Sequence, residues 1–211
     1  MLRIINATKK IKSRTILDNI SIDFEDGKIY TLLGANGSGK TMILKALAGY
    51  IELTEGEVYQ NDRKIIGGKS FIQNAGIIIE KPDFIQSETL IDNLKLIKKF
   101  CKNKNIDLNF WIRYYNLESH TNKKYEELSL GTKQKMLLIQ AFMDLPKIYI
   151  LDEAINALDR ESVIKTIRFL QREKSKGKLI ILTSHINSYV KKISDICIYI
   201  EEGKIVIPKY V

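Results

Sequence analysis

Apolar residues fall into short runs separated by amphipathic stretches. The runs at residues 2–7, 20–24 and 28–33 predict strands, 40–47 predicts a helix, and 56–60 and 76–79 predict further strands. From residue 88 to 115 the pattern changes period. Leu90, Ile91, Leu94, Ile97 and Cys101 recur three and four positions apart with no strand signal between them, which predicts a helical insertion. Beyond Ser129 helices are predicted at 132–145, 160–174 and 186–192, alternating with strands at 148–151, 179–182 and 196–200. That alternation predicts parallel strands joined by crossover helices, an α/β fold.

The chain has 211 residues, 45% of them hydrophobic and 28% charged, with only 3 Pro, so it can pack a core and is not disordered. No apolar run approaches the roughly 20 residues of a spanning helix, and residues 1–10 turn polar too soon for a secretory signal. Two cysteines make no disulfide framework; Cys197 sits in an apolar alternation that predicts a buried thiol, and the expectation is a cytoplasmic protein. The net charge of +9 admits nucleic acid or an anionic membrane. The lysines are scattered, however, without a basic block carrying interleaved aromatics, and no nucleic-acid partner is expected. Residues 81–125 hold nine basic and five acidic side chains, read as a solvated helical face with lipid head groups as the sharper alternative.

Chemistry enters at Gly34-Ala35-Asn36-Gly37-Ser38-Gly39-Lys40-Thr41, a glycine, four residues, then Gly-Lys-Thr, between a predicted strand and a predicted helix. Such a loop turns backbone N–H groups toward phosphate oxygens, and the helix N-terminus adds a favourable dipole. Lys40 is placed to reach the β- and γ-phosphates of a nucleotide and Thr41 to ligate Mg²⁺. The apolar run 148–151 then ends on Asp152-Glu153. There Asp152 can hold Mg²⁺, and Glu153 can polarise an attacking water. These residues alone fit a nucleoside-monophosphate kinase as well as a triphosphatase.

Leu128-Ser129-Leu130-Gly131-Thr132, with Ser129 as the predicted N-cap of a helix, resembles the Leu-Ser-Gly-Gly-Gln signature of the ATP-binding cassette (ABC) ATPases, from which Leu130 and Thr132 depart. Ala157-Leu158-Asp159 looks like the family's D-loop, and His185 follows a strand as its switch histidine does. The resemblance implies a P-loop NTPase fold of the ABC ATPase type. An α/β RecA-like core and an antiparallel β subdomain would occupy residues 1–80 and 130–211, with a helical subdomain at 81–129. It implies ATP and Mg²⁺ as cofactors, Glu153 and His185 as catalytic groups, and Gly34, Asn36, Gly37, Ser38, Gly39, Lys40 and Thr41 around the phosphates. Ser129, Gly131 and Asp159 would complete the ATP site of a second cassette, identical or not, in a head-to-tail dimer.

Three departures follow from the same comparison. Ile11 stands where the family usually stacks an aromatic on adenine, and Ala154 replaces a common Pro. Glu80 replaces the Q-loop glutamine as a metal-facing residue, with Pro82 and Phe84 beyond it as an anchor for a docking helix. The Glu80 and signature pattern resembles the bacitracin-resistance and lantibiotic-immunity branch of exporters. The implied function is the ATP-hydrolysing subunit of an ABC transporter, at the inner face of the membrane, driving a separate integral membrane permease with an antimicrobial peptide as candidate cargo. The alternative is a non-transport ABC ATPase acting on ribosomes or DNA. A catalytically dead ATP sensor is disfavoured because Lys40, Asp152, Glu153 and His185 are all present.

Overall fold

The computed structural model describes residues 1–80, 84–184 and 188–206. Two sheets form its frame. In the first, β1 (Leu2–Ile11), β2 (Arg14–Phe24), β4 (Glu55–Gln60) and β5 (Arg63–Ile65) pair antiparallel in the order β2-β1-β4-β5. The first two strands are longer than their apolar runs predict. Between those runs the β1–β2 hairpin leaves the core and its register is broken by bulges, with Asn6 and Asn19 at positive φ, so its middle carries no clean alternation.

The second sheet is ordered β10-β9-β3-β8-β7-β6. Strands β3 (Ile29–Leu33), β6 (Ala75–Ile78), β7 (Ile148–Leu151), β8 (Leu179–Ser184) and β9 (Ile196–Glu201) run parallel, and β10 (Lys204–Val206) returns antiparallel along β9. Every residue of β3, β7 and β8 is buried, which explains why they read as largely apolar runs. Cys197 on β9 is only half-buried. The three-residue strands β5 and β10 are too short to announce themselves by period.

Helix α1 (Lys40–Ala48) follows β3 and packs with the first sheet into one core that includes Leu17, Phe24, Leu44 and Ile181. The predicted helical stretch is broken into α2 (Leu90–Phe100) and α3 (Leu108–Tyr114). The Asp144 carboxylate accepts from the Lys102 and Asn103 amides at 3.1 and 2.8 Å, and Asp107 caps α3 by accepting from the Phe110 amide. Trp111 of α3 then packs edge-on to Phe169 of α5 (Arg160–Ser175), itself stacked on Phe142 of α4 (Leu130–Phe142) at 4.4 Å. Among the described residues no helix is long and apolar enough to cross a membrane.

Candidate functional site

The glycine loop connects the buried strand β3 to α1. A Cβ on Gly34 would lie 2.2 Å from the Ile200 carbonyl oxygen, so the loop can pass β9 only as glycine, and Gly37 adopts φ +78. The Lys40 ammonium reaches back across the loop and donates to the carbonyls of Gly34 and Ala35 at 2.8 and 2.9 Å. Burial pushes its pKa down, opposed by the carboxylates of Glu153 and Asp152, the second and third largest influences on it. The Ser38 hydroxyl is buried with no hydrogen-bond partner among the described residues. A buried unsatisfied hydroxyl beside a cation is the kind of group a phosphate oxygen satisfies.

Asp152 leaves β7 beside this loop. One of its carboxylate oxygens accepts from the Thr41 hydroxyl at 2.7 Å and the other from the Thr183 hydroxyl at 2.5 Å. Thr183 also accepts from the Glu153 amide at 2.9 Å. Thus three strand or helix ends, those of α1, β7 and β8, converge on one carboxylate. Glu153 itself takes φ +48, an uncommon conformation for a non-glycine residue, and its carboxylate accepts from the Asn156 side chain at 3.0 Å. Thr183 is the participant with no sequence mark beyond being a polar residue, only 3% exposed, in an apolar strand.

Thr41 and Asp152 present oxygen donors suited to Mg²⁺. Among the described residues no group of three His, Cys, Asp or Glu side chains could hold a metal ion by itself. Glu80, at φ +60 just beyond β6, instead pairs its carboxylate with Lys45 of α1. Phe84 is buried against Tyr125, with ring centroids 5.0 Å apart, so it fastens its segment to the helical region and is not offered outward as the expected anchor. Pro82 and His185 lie outside the described residues.

Ser129 and Gly131 stand elsewhere. Ser129 caps α4 by accepting from the Thr132 amide at 3.3 Å, and Gln134 of the same helix donates to the Ala154 carbonyl. No hydrogen bond among the described residues joins this helix start to the glycine loop, and Leu130 beside it is 55% exposed. Asp159 caps α5 and pairs with Lys135 at 2.8 Å. Hydrogen bonding from Lys135, reinforced by Ser162, holds its carboxyl well below the usual range despite partial desolvation.

A cavity of about 750 Å³ opens over the loop residues 34–38 and extends to Arg14, Thr15 and Ile16 at the start of β2. Ile11, the expected adenine contact, does not line it; that side chain is 47% exposed at the end of β1.

The ABC transporter family profile matches residues 17–156. The ABC transporter ATP-binding protein YybJ of Bacillus subtilis (strain 168) is 38% identical over 206 residues, 97% of this chain and 94% of that protein. The lantibiotic transport ATP-binding protein SrtF of Streptococcus pyogenes is 31% identical over 99% of this chain and 90% of its own length. The dimeric structure of MJ0796, a bacterial ABC transporter cassette, superposes with a TM-score of 0.84 at 23% identity, over 98% of this chain and 97% of that one.

Proposed function

The chain belongs to the ABC transporter family as one of its ATP-binding ATPases, and on that premise we propose that it powers export through a separate integral membrane permease. It would sit at the inner face of the membrane, with an antimicrobial peptide of the lantibiotic kind as candidate cargo. The observation that carries the ATPase site is the convergence of Thr41, Asp152 and Thr183 beside the Lys40 loop. The transport assignment draws its support from the relatives, and the cargo class from SrtF and from Glu80 in the glutamine position.

In this reading the loop amides and Lys40 bind the triphosphate, and Ser38 satisfies its hydroxyl on a phosphate oxygen. Thr41 and Asp152 hold Mg²⁺, which when bound neutralises charge developing on the phosphates. Glu153 takes a proton from the attacking water as it adds to the γ-phosphorus and the bond to the β–γ bridging oxygen breaks, releasing ADP, and His185 orients that water. The start of α4, exposed at Leu130, presents its N-terminal amides and Ser129 to the γ-phosphate held by a second cassette, with Gly131 and Asp159 beside it. Each site is then completed by its partner.

Expression of the tagged chain with the membrane proteins encoded near it tests the assignment. ATP-dependent recovery of a multi-spanning membrane protein supports it; recovery of ribosomes or nucleic acid in its place overturns the transport role.

A further inference from the structure

We propose that Arg14 is the platform on which the nucleobase stacks, in place of an aromatic side chain. The inference deepens the reading of the loop as an ATP site and rests on it. Phosphates held at residues 34–38 place the sugar and base of the same molecule further along the cavity, and its volume of about 750 Å³ accommodates a whole nucleotide. That direction leads to the start of β2, where a break in the hairpin register lets Arg14, Thr15 and Ile16 all line the cavity. Ile16 offers an apolar wall; beyond it lies Arg14.

Arg14 is the only cation among the described residues lining the cavity, and its guanidinium has no hydrogen-bond or ion-pair partner among them. A planar, weakly hydrated guanidinium stacks on aromatic ring faces as a side-chain ring does. The cavity's one aromatic, Tyr199, is paired with Leu33 at the very end of β3, immediately before the loop, and so stands at the phosphate end. Ile11 is the cross-strand neighbour of Arg14 at the hairpin tip but lies outside the cavity. The hairpin thus brings to the cavity a residue three positions after the one the family's pattern designates. Stacking reads the π-face that adenine and guanine share, so the site should hold ATP and GTP with affinities within about fivefold of each other.

Dissociation constants of Mg-ATP and of Mg-tripolyphosphate, which lacks base and sugar, test the assignment in the full chain. Arg14→Ala should weaken ATP about tenfold and tripolyphosphate less than about twofold, and Arg14→Tyr should recover most of the loss by supplying another stacking face. Arg14 is exposed, so these variants should fold. The proposal is overturned if Arg14→Ala leaves ATP affinity within about twofold of the parent. It is equally overturned if Arg14→Ala weakens both ligands alike, which would mark a simple charge effect, or if the loss appears in Tyr199→Leu or Ile11→Ala instead. If the unaltered chain binds neither ligand, the reading of the loop fails and takes this proposal with it.

Discussion

Lys45 and Glu80 form an ion pair that ties α1 to the end of β6. Lys45 lies four residues after Thr41, on the same face of the helix and one turn further from the loop. The pair therefore gives the Glu80 carboxylate, proposed to stand in the glutamine position, a counter-charge from within its own chain. A glutamine would need none.

This arrangement predicts that Lys45→Met weakens Mg-ATP by about two- to fivefold, the scale of an exposed ion pair, because Glu80 then stands uncompensated near the γ-phosphate. Glu80→Gln should suppress the defect. A double variant as weak as Lys45→Met alone would show that the two side chains are not coupled. Activity of Glu80→Ala measured with and without the permease tests the proposed link to the membrane partner, and retained stimulation would remove Glu80 from that role.

Lys40→Ala should lower nucleotide affinity by roughly ten- to a hundredfold, since it deletes the charge-assisted hydrogen bonds expected to reach the phosphates. Equilibrium binding of Mg-ATP measures it. An unchanged dissociation constant would place the phosphates elsewhere.

Glu153→Gln should bind ATP and hydrolyse it about 10²- to 10⁴-fold more slowly, the usual contribution of a positioned acid–base group. Trapped nucleotide should hold two cassettes together, visible as a dimer in gel filtration with ATP and as a monomer with ADP. A persistent monomer in both would count against the shared site.

Glu173 predicts a pH effect on stability. Its side chain is buried, which disfavours the charge, yet Lys176 and Lys178 outweigh that penalty and hold the carboxyl below its ordinary value. Ionised Glu173 therefore contributes stability above the ordinary carboxylate range, and that contribution is lost as pH falls through its depressed pKa. Removing both lysines in Lys176→Met/Lys178→Met leaves burial opposed only by the Tyr149 hydroxyl, which donates to the same carboxylate at 3.3 Å, so the pKa rises and the stabilising contribution of the ionised form is lost. The gap in melting temperature between parent and variant should thus be widest near neutrality and shrink as pH falls through about 5 to 4. A constant gap would mean that the pairing does not matter to folding.

Much of this was legible before any coordinate. The loop at 34–41 and the Asp152-Glu153 pair announce themselves because phosphate chemistry demands those residue types in that order, and β3, β7 and β8 because burial on both faces leaves mostly apolar residues. Thr183, Lys45 and Arg14 were not legible. Each acts through a partner more than thirty residues away or across a cavity, and a lone Thr, Lys or Arg in a strand or helix has no local pattern to distinguish it. Phe84 misleads for the opposite reason: two positions after Pro82 it reads as an anchor for a docking helix, while the Tyr125 ring that buries it arrives from forty-one positions downstream.

The two hydroxyls on Asp152 have one more consequence. With Thr41 on one oxygen and Thr183 on the other, the carboxylate is confined to a single orientation by the folded chain itself. The rotational freedom it must give up is surrendered during folding, so a metal-bound nucleotide meets a rigid acceptor and loses less entropy on arrival. Asp152 should accordingly show the same rotamer with and without nucleotide, and a Thr183→Val change should slow capture of the metal complex more than it shifts the melting point.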